Sequence, residues 1–336
     1  MTNGKKAFIT VALVIFVVGL VFVGIGLAGN PGIIYYSNGF KISAGDPDYE
    51  DISAEQFNSL SEIFIDVGYA DVKFVQGEKF AVEISNRYEN NPITYTFNNG
   101  RLEILGEDGV FSINIGFWRW RVINTVTVYI PANSHIDKVS VRVAAGEVNA
   151  GGFSTDELFV RCNFGNMTLS NITADTATLN VDAGKAEITD FKTKVFNHSN
   201  NMGDSRISRL ETGVSDIDMN MGKLTVRNSQ LGASVVRNDM GDINLSDVNV
   251  NGLDLRLSLG SATVQGELRG LILIKNDMGD INITSTLSER EYDYDMSVDM
   301  GESRLNGRKL SGVVNNGAAN KMKLSCSMGS IRVNTK

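Results

Sequence analysis

The chain has 336 residues, 42% of them apolar, and a formal charge of −8. That is enough apolar material for one large domain or two ordinary ones, and the acidic balance without any Lys/Arg cluster excludes a protein that holds nucleic acid by neutralising its backbone. Two cysteines (Cys162, Cys326) and two histidines (His135, His198) exclude a disulfide scaffold and leave almost no ligands for a zinc site or a histidine-based triad.

In chain order the first element is "AFITVALVIFVVGLVFVGIGLA", residues 7–28, which carries no charge. As a helix rising ~1.5 Å per residue it spans ~33 Å, enough for the ~30 Å hydrocarbon core. Lys5 and Lys6 precede it, while Asp46, Asp48, Glu50, Asp51 and Glu55 follow. The positive-inside rule then predicts a cytoplasmic tail at 1–6, a single-pass transmembrane helix at 7–28 and an extracytoplasmic remainder. A signal peptide cleaved after Gly26-Leu27-Ala28 is the alternative, but signal apolar regions run only ~7–15 residues, which favours an uncleaved anchor. Residues 29–60 lack periodicity and read as a juxtamembrane linker.

Residues 61–135 contain strand-like segments ("EIFIDV", "DVKFV", "RLEIL", "TVTVYI") and an Asn99-Gly100 hairpin signal. They read as an irregular β cap at the start of the following stack. Within them "IGFWRW" holds both tryptophans, and in a strand Trp118 and Trp120 share one face while Phe117 and Arg119 share the other. Either this group closes the open end of the stack, or it is an exposed patch for a membrane interface, a glycan or a protein. Phe117, Trp118, Arg119 and Trp120 are the candidate contact patch.

From residue 136 the sequence is a repeat. Gly146, Gly165, Gly184, Gly203, Gly222, Gly241, Gly260 and Gly279 follow one another at steps of 19, with looser copies at Gly301 and Gly329. Five residues before each glycine the column is mostly apolar (Val141, Val160, Leu179, His198, Ile217, Val236, Leu255, Ile274), and four after it the same holds (Ala150, Leu169, Ile188, Ile207, Val226, Leu245, Val264, Ile283). Period-two alternation on both arms of a glycine turn predicts strands. Nineteen residues are too few for a propeller blade, and the β-branched, Asn- and Asp-rich arms do not suit the helix of a leucine-rich repeat. The predicted fold is all-β: a β-solenoid with 19-residue rungs, regular over 136–290 and closed by irregular terminal rungs over 291–336.

The heptapeptide "NDMGDIN" occurs at 238–244 and again at 276–282, two rungs apart. After the glycines the column reads Asp204, Lys223, Asp242, Ser261, Asp280, which separates like charges and sets an ammonium where calcium would need oxygen. The aspartates therefore read as turn residues, with no metal or cofactor. The methionines one before the glycine (Met202, Met221, Met240, Met278, Met300, Met328) read, by continued alternation, as core filling and not a copper site. His198 reads as a satisfied core or edge histidine, and Cys162 and Cys326 as separate buried thiols.

"IDVGYADVKFVQGEKFAVEI", "VTVYIPANSHIDKVSVRVAAGEVNAGG" and the serial glycine repeats together resemble the bacterial putative-adhesin β-strand-repeat family over about residues 62–336. The resemblance implies a cell-envelope β-solenoid, often on a single-span anchor and sometimes associated with envelope-stress systems; it supplies no catalytic residues. The functional expectation is a non-catalytic, membrane-anchored, adhesin-like binding or scaffolding protein whose partner is a cell-wall polymer or an envelope protein. One rival is an accessory sensor working through a membrane partner, which the small residues Gly24 and Ala28 of the anchor permit. The other is a polysaccharide-acting enzyme, which needs convergent carboxylates that the interleaved columns do not supply.

Overall fold

The computed structural model describes residues 34–36, 40–42, 50–86, 92–106 and 124–336. The predicted membrane span at 7–28 lies outside them, and no helix among the described residues is long and apolar enough to cross a membrane.

Seven strands of 17 residues follow one another from Val148–Phe164 to Ala262–Met278, each paired in parallel with the next. Partners lie one repeat apart, as in Leu169↔Ile188 and Ile188↔Ile207. The chain is thus a long parallel all-β stack, coil upon coil, as in a β-solenoid.

Each coil bends at three places. The first is the repeat glycine. The second lies six residues on, where Gly152, Asn171, Asp190, Arg209, Asn228, Asp247 and Gly266 all have positive φ. Asn and Asp tolerate that conformation best among residues with a side chain, so the column is rich in them. The third lies ten residues on, where the register skips Asp156, Asp175, Lys194, Gly213 and Gly232.

The predicted inward columns form the core. Leu179, Ile217, Val236, Leu255 and Ile274 are fully buried before the glycine, as are Leu169, Ile188, Val226, Leu245 and Val264 after it. At the glycine itself φ runs from +126° to +155° across the ten repeats, and a Cβ there would meet the previous coil's glycine carbonyl at 1.8–2.2 Å in the coils from Gly165 to Gly279. Both the conformation and the close stacking demand glycine.

At the N-terminal end Glu62–Gly77 stacks on His135–Ala145 and the start of Val148–Phe164. Arg101–Gly106 and Asn124–Pro131 cover its other side. Asn99 (φ 50°) and Gly100 (φ 81°) turn the hairpin onto Arg101–Gly106. Glu50–Phe57 pairs antiparallel with Phe80–Asn86, so the segment predicted as linker over 29–60 is already β structure at its C-terminal end.

The C-terminal end departs from chain order. Asn320–Met328 lies between Ala262–Met278 and Tyr292–Met300, pairing with both through Leu324 (to Ile274 and to Met296). The stack therefore ends Gly279, Gly329, Gly301, and not in the sequential order that successive rungs predict. The longer loops that stretch the last two steps beyond 19 residues supply the slack. Tyr292 and Tyr294 are fully buried within this last layer, and Gly312–Val314 covers its edge antiparallel.

Candidate interaction surfaces

The acidic heptapeptide is a clasp between coils. Each coil's backbone N–H just after the glycine needs an acceptor, and on alternate coils the side chain below supplies it. Lys223 donates to Asp204 Oδ1 (3.1 Å), Ser261 to Asp242 Oδ1 (3.0 Å) and Ser330 to Asp280 Oδ1 (2.9 Å), with Asn166 serving Lys185 in the same way. Three residues before the glycine the same coils reach downward. Asn200, Asn238 and Asn276 donate from Nδ2 to the carbonyls of Gly184, Gly222 and Gly260 at 3.2, 2.9 and 2.9 Å. Cys162 and Cys326 stand in that column, each thiol against a glycine carbonyl (Gly146 and Gly279), and burial pushes the Cys162 thiol up to about 11. These groups are committed to holding the stack. Asp280 also pairs with Arg332, whose hydrogen bond, with that from Ser330, holds its carboxyl below the usual range.

His198 is 2% exposed. Its Nδ1 stands 3.0 Å from the Leu179 carbonyl oxygen, which only accepts, so Nδ1 carries the proton. Nε2 then accepts from the Ser205 hydroxyl at 2.8 Å, and Ser205 Oγ accepts from Asn200 Nδ2 at 3.1 Å. Burial pushes the imidazole down to about 4, so it is neutral and closed off at neutral pH. His135, Asp137 and Asp156 gather at the surface, with Nε2 of His135 3.4 Å from Asp156 and 3.7 Å from Asp137. All three are exposed and Nδ1 faces Ser154 Oγ, a surface cluster open to water. The Phe117, Trp118, Arg119 and Trp120 patch lies outside the described residues.

The methionine column corrects the sequence reading. Alternation carried through the corner would bury it, but the two residues before each glycine both face outward, because the chain is already turning there. Phe164, Met202, Met221, Met240, Leu259, Met278, Met328 and Met300 are 43% to 62% exposed. Strand pairing aligns Met202, Met221, Met240, Leu259, Met278, Met328 and Met300 on successive coils. At ~4.8 Å per coil this is an apolar ridge running nearly the length of the stack.

A second surface follows the third bend, where an open groove of about 560 Å³ runs over five coils past Thr193, Thr212, Gly213, Gln230 and Gly232. Gly232 is obligatory, since a Cβ there would meet the Gly213 carbonyl at 1.8 Å, and the bare glycines make the hollow. Its charges neutralise one another across coils: Lys192–Glu211 at 2.7 Å and Lys194–Asp175 at 2.8 Å. Thr193 and Thr212 hydroxyls reach backbone carbonyls at Val195 and Val214. The threonine hydroxyls are therefore turned inward, and the groove offers the exposed side-chain amides of Gln230 and Asn249 and no converging pair of carboxylates. The one-repeat spacing of Gly213 and Gly232 is the sequence signal that marks it.

Among solved structures the chain is similar to a putative adhesin of Parabacteroides distasonis (15% identity, 87% of this chain and 98% of that one, TM-score 0.41). It is also similar to a putative adhesin of Bacteroides fragilis (12%, 85% and 96%, TM-score 0.33) and a putative cell adhesion protein of Clostridium sporogenes (11%, 86% and 100%, TM-score 0.24). No curated protein matches the sequence. The family model Toastrack DUF4097 matches residues 60–235 and 189–334, which together take in nearly every coil described above, and the chain belongs to that family.

Proposed function

We infer that this chain is a non-catalytic, adhesin-like binding or scaffolding protein of the bacterial cell envelope, anchored by residues 7–28 with its coils outside the membrane. The observation that carries the reading is the contrast between its buried and outward groups. His198, the thiols and the corner aspartates are occupied in the stack. The outward columns instead repeat coil after coil, giving an apolar ridge and a polar groove. Contacts repeated at ~4.8 Å suit an extended partner such as a wall polymer or a protein strand.

The test mixes the full chain, in detergent, with isolated cell-wall material and measures pelleted protein and released sugar in the same tubes. Met202→Glu/Met221→Glu and Trp118→Ala/Trp120→Ala serve as comparisons. Co-sedimentation without sugar release supports the reading, and loss in one variant assigns the surface. Sugar release overturns it. Absence of sedimentation turns the search to an envelope protein, tested by crosslinking in membranes.

A further inference from the structure

The ridge holds an excess of one element, sulfur, that apolar contact does not require. Phe164 and Leu259 show that other apolar side chains fill the column. Methionine nevertheless occupies it on three successive coils twice: Met202–Met221–Met240, and Met278–Met328–Met300. The second run is not a sequence motif. Its members meet because the last strand inserts out of order, putting Met328 between Met278 and Met300.

We propose that the exposed methionine triad Met278, Met328 and Met300 is a binding site for a soft monovalent cation of the Cu(I) class. Neutral thioethers select soft ions over the calcium or magnesium that carboxylates prefer. Three sulfurs around one ion at the ~2.3 Å of a metal–sulfur bond stand ~4 Å apart. Neighbouring coils lie ~4.8 Å apart and the outer two therefore ~9.6 Å; each outer side chain leans inward by roughly 3 Å through its three rotatable bonds. The surroundings favour a cation. Asp277 and Asp299 precede the outer methionines and Asp280 and Glu302 follow their glycines, with Ser327 and Ser330 on the middle coil. Lys275, Arg332 and Arg304 balance Asp277, Asp280 and Glu302, whereas Asp299 has no ion pair among the described residues. At the other triad the middle coil carries Lys223 two residues from Met221, where this site has Ser330, although Asp239 and Asp242 flank Met240. This site is independent of whether the protein binds a wall polymer.

The full chain is titrated under ascorbate with Cu(I) supplied as its coloured bicinchoninate complex. Wild type is expected to bleach the probe, and Met278→Leu/Met300→Leu/Met328→Leu, which keeps the apolar ridge, to lose that uptake while its circular dichroism stays unchanged. Because thiols are the competing soft ligands, both proteins are also made as Cys162→Ser/Cys326→Ser. Independently, methyl-13C-methionine spectra recorded with silver nitrate should shift the Met278, Met300 and Met328 methyl resonances ahead of the rest. No uptake by wild type, uptake that survives the triple substitution, or silver shifts confined to other methionines overturns the proposal.

Discussion

The buried His198–Ser205–Asn200 set makes a quantitative prediction about acid. The imidazole titrates near 6.5 when free and at about 4 in the fold, with burial the main cause and the Leu179 carbonyl opposing it. A group held neutral in this way contributes stability that is fully present above pH 6.5 and drains as pH falls, because the unfolded chain takes up a proton that the folded one refuses. The loss levels off once pH passes below about 4, where the folded state also protonates. At ~1.4 kcal/mol per unit the whole window is worth about 3 kcal/mol, and about 2 of it falls between pH 7 and 4.5. The control is His198→Leu/Ser205→Ala, which places there the leucine and alanine found one repeat earlier at Leu179 and Ala186. Urea unfolding followed by circular dichroism at pH 7, 6, 5 and 4.5 should show wild type losing about 2 kcal/mol more than the variant over that range. Surface carboxylates titrate in both proteins and cancel. Parallel pH profiles would refute the assignment of a neutral, proton-excluding His198.

Three further outcomes follow from the corner. Gly222→Ala, at φ +137° with a Cβ 2.0 Å from the Gly203 carbonyl, should cost roughly 3 kcal/mol or more, whereas Gly252→Ala, in open space at φ +97°, should cost about 1 kcal/mol in the same thermal melts. Asn238→Leu should destabilise by about 1–2 kcal/mol and Asn276→Leu by less, because Asn238 Oδ1 accepts from the Met240 N–H while Asn276 Oδ1 is buried without a protein partner. Since the aspartates bind backbone N–H groups, EDTA or added calcium should leave the melting temperature unchanged; a rise with calcium would return the heptapeptide to ion binding.

The sequence made the stack and its core columns readable because each follows from period-two alternation at a fixed 19-residue step. Three things lay beyond that rule. Alternation carried through the bend puts the methionines inward, whereas the positive-φ glycine ends the alternation there. The final strand's position was unreadable because repeats in a sequence imply order in space only while loops are short, and the last two loops are not. The groove needed a second glycine column, Gly213 and Gly232, to be weighed as geometry and not as composition.

Why the heptapeptide skips a coil now has a physical reason. The Gly203 coil reaches down with Asn200 and up with Asp204, and the Gly241 coil does the same with Asn238 and Asp242. The Gly222 coil between them is held from both sides, its carbonyl by Asn238 and its Lys223 N–H by Asp204. It therefore needs no polar side chain of its own and uses Met219 in the core. Clasping on every coil would set carboxylates ~5 Å apart along the stack, so alternation satisfies the backbone with half the charge. The residue just before each glycine takes no part in this. Ala183, Met202, Leu259 and Phe164 all fit there, so packing leaves its identity open. Methionine stands there six times, and the copper and wall-binding experiments test for a ligand of that column.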